Sequence, residues 1–166
     1  MDKNVRRAAE IMEQIVYATV ATADESAKPW NSPVYYAIDD DLNLYWSSDN
    51  KGQHSKNISA NSQAFIVIYD STIPVGDGEG VYIEAKASEY TGGKTDSDNQ
   101  RIQMVDWLAN QPSPSKYKKY KAIPKRIWIN DTEKDENGKY IRDIRIELSL
   151  KEVIAALRKK QRSENG

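Results

Sequence analysis

Residues 29–57, PWNSPVYYAIDDDLNLYWSSDNKGQHSKN, decide how this chain reads. Two aromatic-rich runs, Trp30–Ile38 and Leu42–Ser47, flank Asp39-Asp40-Asp41, and a polar loop leads into a short helical stretch over Lys51–Ala60. The pattern predicts strand, tight turn, strand, loop and helix. Pro33 lies inside the first run and cannot donate to a sheet ladder, so it predicts an edge, a bulge or a split. The three aspartates read as a solvated hairpin tip rather than a metal site, because turns favour Asp for local hydrogen bonding. The segment Ser47-Ser48-Asp49-Asn50-Lys51-Gly52-Gln53-His54 carries hydroxyl, amide and basic groups, including the only histidine in the chain. A helix that begins there points free backbone N–H groups outward, as a phosphate requires. The segment is neither a Walker loop nor a GxGxxG motif, so its residues mark an anion site without naming a ligand. His54 reads as a ligand contact or a surface residue, and Ser47 and Ser48 as ligand hydroxyls or helix N-caps.

Upstream, Val5, Ala8, Ala9, Met12, Ile15 and Val16 follow helical spacing, with Asp2 or Asn4 as the cap. The period then changes to two over Val16–Ala21, which predicts a strand ending at Asp24–Pro29. Downstream, Gln63–Tyr69 (QAFIVIY) is apolar throughout and reads as a buried strand. A loop over Asp70–Glu79 precedes a long alternating strand, Gly80–Tyr90. Ser97 and Gln100 fit a capping box for a helix carrying Ile102, Val105, Leu108 and Ala109, which Pro112 and Pro114 end. The run Lys116–Lys121 reads as a solvated basic segment. A strand over Arg126–Asn130, the hairpin signal Asn137-Gly138, a strand over Tyr140–Leu148 and a closing helix capped by Ser149 and Glu152 complete the chain.

About seven strands joined mostly by hairpins, with helices at the periphery, predict an α+β, mainly β fold: a β-barrel of antiparallel strands. At 166 residues the chain suits one domain with a real core, about 5–150, followed by a C-terminal helix over 150–162. There are no cysteines, which excludes disulfides, thiol nucleophiles and thiolate metal sites. One histidine argues against a His-based metal site or a Ser-His-Asp triad. A formal net charge of -1 gives no reason to expect nucleic acid. The longest apolar run, Ala64–Tyr69, is far too short to cross a membrane, and the first ten residues lack a signal-peptide core, so a cytoplasmic protein is expected. Ten tyrosines against one phenylalanine favour strands with half-wet faces or a flat ligand surface.

The order of motifs resembles the FMN-binding split-barrel family of pyridoxamine 5′-phosphate oxidase. The residues that carry the likeness are Tyr17–Thr22, Pro29–Val34, Leu44–Ser48, His54–Ile58, Val81–Ala87 and Pro124–Ile129, and it spans roughly residues 5–150. The resemblance implies a split β-barrel with FMN bound along Asn31, Ser32, Pro33, Val34 and Tyr36. Trp46 and Ser47 would supply a backbone edge and a hydroxyl, and Lys51, Gln53 and His54 would surround the phosphate. It also implies a homodimer with cofactor sites at the interface, where Asn130 would reach the flavin of the partner subunit, with Trp128 on the same strand face. The activity implied is oxidoreduction of a small molecule, in which the flavin carries the redox chemistry and no side chain need be nucleophile or base. A non-catalytic flavin or haem storage module, or a deazaflavin-dependent reductase, are the alternatives the same barrel hosts. This chain departs from the family by placing Gln53 and His54 where Arg and Lys are usual, which removes the bidentate fork for a phosphate. The oxidase's basic residues for the substrate phosphate have no convincing match between Thr91 and Ile102.

Overall fold

The computed structural model describes residues 1–74, 78–95, 99–111 and 117–164, with side chains to residue 159. It opens with helix α1 (Lys3–Gln14), started by Asp2, whose Oδ1 accepts from the backbone N–H of Asn4 at 2.7 Å and Val5 at 3.2 Å. One face of α1 buries Val5, Ala8, Ala9, Ile11 and Met12. The strands are β1 (Tyr17–Ala23), β2 (Pro29–Tyr35), β3 (Ala37–Ile38), β4 (Leu44–Asp49), β5 (Gln63–Tyr69), β6 (Gly80–Glu89), β7 (Tyr117–Lys134) and β8 (Tyr140–Leu148). Helix α2 (Gln53–Ala60) follows β4, α3 (Gln100–Ala109) follows β6, and α4 (Leu150–Glu164) follows β8.

All pairings are antiparallel, in the order β2-β1-β5-β6-β7-β4-β3, with β8 also on β7. The organising strand is β7. Its first part pairs with β4, its last part with β8, and β6 runs along its other edge. The β6–β7 register shifts between Glu84 and Ala85, opposite Pro124, where a proline cannot donate to the ladder. Pro33 sits on the edge strand β2, opposite Thr19, one of the three placements its chemistry allowed. The sheet curls so that β2 and β4 approach each other, giving the split barrel. Its interior holds Ala18, Val20, Val34, Ile66, Ile68, Val81, Ile83, Ile127 and Ile129, with Met12 of α1 and Val153 and Leu157 of α4. Tyr36 and Trp46 are fully buried there, each removing about 150–250 Å² from water.

Several local expectations change. The first aromatic run is two strands, broken at Tyr36, so the described residues hold eight strands where about seven were expected. The N-cap of α3 is Asn99, whose Oδ1 accepts from Arg101 N–H at 2.9 Å; Ser97, Pro112, Pro114 and Lys116 lie outside the described residues. The basic run is not a solvated segment from Tyr117 onward but the start of β7. Among the described residues, no helix is long and apolar enough to cross a membrane.

Candidate functional site

The turn between β4 and α2 is wound around Asp49. Its carboxylate accepts from Lys51 N–H at 2.8 Å, and its carbonyl accepts from Gly52 N–H at 3.0 Å and from Ser55 Oγ at 2.8 Å. A Cβ on Gly52 would lie 3.1 Å from that carbonyl, which explains a residue without a side chain at the N-cap. The result is a helix start with no side-chain cap, its first N–H groups left for another acceptor. Asn57 fixes α2 to β1 through Nδ2, which donates to Thr22 Oγ1 at 3.0 Å, and Gln53 Nε2 donates back to Asn57 Oδ1 at 2.8 Å.

The His54 ring folds over Gly52 and meets the edge of Tyr120, with ring centres 6.4 Å apart. Tyr120 in turn stacks on Trp46 at 5.8 Å. Among the described residues, three buried polar side-chain atoms have no hydrogen-bond partner: Trp46 Nε1, Asn50 Oδ1 and His54 Nε2. All fall within residues 46–54. Burial lowers the His54 pKa below its ordinary value, because the charged imidazolium is poorly solvated there. Burial likewise raises the Tyr120 phenol.

The fit of a cofactor phosphate follows from these atoms. Backbone donors suit an anion at the start of α2; of the unpartnered atoms, Asn50 Oδ1 is an acceptor and Trp46 Nε1 lies in the interior, which leaves His54 Nε2. A fixed cation is lacking: Gln53 is neutral and held by Asn57, His54 is held towards its neutral form, and Lys51 and Lys56 are exposed. The start of α2 thus offers a phosphate backbone donors, not an arginine fork.

The structure distributes the other expected site residues widely. Lys51, Gln53 and His54 stay together. Asn31 and Pro33 lie on the outer face of β2, while Val34 points into the core; Ser32 Oγ accepts from Trp30 Nε1 at 3.0 Å. The Tyr36 side chain is in the core, its hydroxyl donating to the Met12 carbonyl at 2.8 Å. The Trp46 side chain is also interior, so only its backbone is left for a ligand edge. Ser47 and Ser48 do not cap α2; Ser47 Oγ donates to the Val105 carbonyl at 2.7 Å and ties β4 to α3. Asn130 is engaged within its own chain: its Oδ1 accepts from Gly80 N–H, and its Nδ2 donates to the Gly78 carbonyl at 2.9 Å. It stands near the Tyr69 end of β5, whereas α2 adjoins the Thr22 end of β1, so the two groups occupy opposite ends of the sheet.

Two features went unread in the sequence. Lys119 is buried, bonded to Asp106 and to the Thr95 hydroxyl, and lies 4.6 Å from the Tyr90 ring centre. The alternation of Tyr120 and Ala122 with Lys119 and Lys121 was the available sign that this run is a strand. The second is the aromatic outer face of the sheet. Pro33, Thr19, Val67, Tyr82, Trp128 and Glu147 form one continuous row across six strands. Phe65 packs beside Tyr82 and Trp128, and Tyr17 against Tyr35. Tyr17 and Tyr69 are 59% and 49% exposed, while the middle of the row is half-buried, with Arg126 over the Trp128 ring at 4.6 Å and Arg145 over the Tyr82 ring at 4.2 Å.

A search of curated sequences returned no significant match. Solved structures share the fold. HutZ, the haem storage protein of Vibrio cholerae, is 15% identical over 71% of this chain and 88% of its own, with a TM-score of 0.57. A haem-binding protein from Mycobacterium smegmatis is 14% identical over 93% of this chain and 62% of its own, with a TM-score of 0.62. General Stress Protein 26 of Bacillus anthracis is 16% identical over 87% and 98%, with a TM-score of 0.57. At such identities the likeness speaks to the fold alone. The sequence itself matches a family profile, pyridoxamine 5′-phosphate oxidase, over residues 5–133. With most of its length matched and the split barrel in place, this chain belongs to the pyridoxamine 5′-phosphate oxidase family.

Proposed function

We propose that this chain is an FMN-binding oxidoreductase acting on a small molecule. The observation that carries the reading is the start of α2 without a side-chain cap, beside the unpartnered Nε2 of His54, in a chain of this family. The N–H groups of α2 would hold the phosphate. The backbone edge at Trp46 and the outer face of β2 at Asn31 and Pro33 would border the ring. The flavin supplies the redox chemistry when bound; this chain's residues orient it and exclude water. The test is the absorption spectrum of the purified protein followed by FMN titration. Flavin bands or saturable uptake, with bleaching by a reductant and recovery over repeated turnovers with an acceptor, support the enzyme. A colourless protein that ignores FMN sinks the reading.

The same proposal includes a homodimer through the outer aromatic face. A second copy packed on that face would bring its Asn130 region towards the far end of the neighbouring sheet. Light scattering should give about twice the 18.9 kDa chain mass, and Trp128→Lys should return the chain to monomer. A monomeric wild type contradicts this part.

Haem storage is the second reading. It is favoured by His54, whose unpartnered Nε2 is the kind of group a haem iron takes, although the ring must first swing out of its buried position. Two fold neighbours are haem proteins by name. A Soret band on haem addition that His54→Ala abolishes would support it over FMN.

A further inference from the structure

We propose that anion binding at the start of α2 is coupled to uptake of one proton by His54. The inference rests on the phosphate site proposed above and concerns its regulation. An imidazolium needs an acceptor for each ring N–H. In the free chain Nε2 is buried without one, the ring is pressed between Gly52 and Tyr120, and the first turn of a helix repels positive charge. The free site therefore holds a neutral ring.

A phosphate on the α2 N–H groups changes each of these conditions. It brings oxygen acceptors and negative charge to the same turn, so the ring, swung out of its buried position, can protonate and donate to it. The surrounding ionisable groups do not replace that effect. Tyr120 of β7 meets the ring, and Asp49 at the end of β4, Glu89 of β6 and Lys118 of β7 surround Tyr120; Lys51 and Lys56 flank His54 on its own segment. Lys118 is paired with Glu89 at 2.7 Å. None of them is a cause of the His54 shift, which comes from burial alone. The sign follows from linkage. The free ring protonates at lower pH than the bound ring, so affinity for a phosphate ligand rises as pH falls through the interval between the two midpoints.

A single histidine makes the test direct, because the chain has one Cε1–H signal to follow. Its pH midpoint is measured by proton NMR in the free protein, with saturating FMN, and with riboflavin, which has no phosphate. FMN should raise the midpoint by about one unit, equivalent to roughly tenfold between the affinities of the two protonation states. Riboflavin should leave it in place. In parallel, His54→Gln should remove the part of the pH dependence of FMN affinity that falls between the free and bound His54 midpoints, leaving only that of the ligand's own phosphate, with a second pKa of about 6. FMN binding with an unmoved midpoint, or an equal shift with riboflavin, overturns the proton coupling and leaves FMN binding standing. No quenching of flavin fluorescence at any pH overturns the FMN reading and the coupling together.

Discussion

Two buried polar clusters lie on either side of β4, and they differ in one respect. On the α3 side, Lys119 is bonded to Asp106 and Thr95 and flanked by the rings of Tyr45 and Tyr90, while Ser47 Oγ bonds the Val105 carbonyl. On the α2 side, Trp46 Nε1, Asn50 Oδ1 and His54 Nε2 have no partner, and the helix start has no side-chain cap. Buried polar groups are costly unless bonded, so a satisfied cluster reads as architecture and an unsatisfied one as a place that awaits a ligand or water. The position of the charged and polar residues in the sequence does not separate the two; their bonding does.

The largest expected effect falls on the satisfied cluster. Asp106→Ala leaves Lys119 buried without its carboxylate and should destabilise the fold by about 3–5 kcal/mol in urea unfolding. Paired replacement, Lys119→Met with Asp106→Leu, should recover most of that loss, because an apolar pair of similar size needs no counter-charge. If the single variant unfolds like the wild type, the cluster is not architectural and the contrast collapses.

On the unsatisfied side the effects should move binding more than stability. Gln53→Ala with His54→Ala should weaken FMN by about 1–3 kcal/mol, the range for hydrogen bonds to a charged group. An unchanged titration would remove this turn from the site. His54 also sharpens the contrast through pH. Its folded pKa lies below the unfolded value, so the unfolded chain binds more protons and stability falls as pH drops below ~6.5 through the folded midpoint. Unfolding scans should show that the loss is smaller in His54→Gln than in the wild type. The smallest effect belongs to Gly52→Ala. The backbone there, at φ -60, accepts any residue, but the new Cβ presses on the Asp49 carbonyl and the His54 ring, so FMN affinity should fall a few-fold at nearly constant stability.

Much of the architecture was legible in the chain. Gln63–Tyr69 and Tyr140–Leu148 appear at the bounds their alternation and apolarity suggested, and Asp135 caps the Asn137-Gly138 hairpin through its carboxylate, with Gly138 at φ +79. Such features are local, and local patterning records them. Burial of Lys119 was not legible, because its partner stands on another element and tertiary pairing decides whether a lysine goes inside. For the same reason Tyr36 and Asn130 read alike as ligand neighbours, although one hydroxyl is bonded to α1 and the other side chain fastens the strand before Gly80. The start of α2 was visible as a polar segment before a helix. Its missing cap and unpartnered atoms required the folded geometry.

The central claim is that the start of α2 holds a phosphate. The most direct measurement is a side-by-side fluorescence titration with FMN and riboflavin, which differ only by that group. The account predicts that FMN binds about tenfold or more tightly, equivalent to at least about 1.4 kcal/mol, and that Gln53→Ala with His54→Ala narrows the gap. Equal affinities for the two flavins would contradict it.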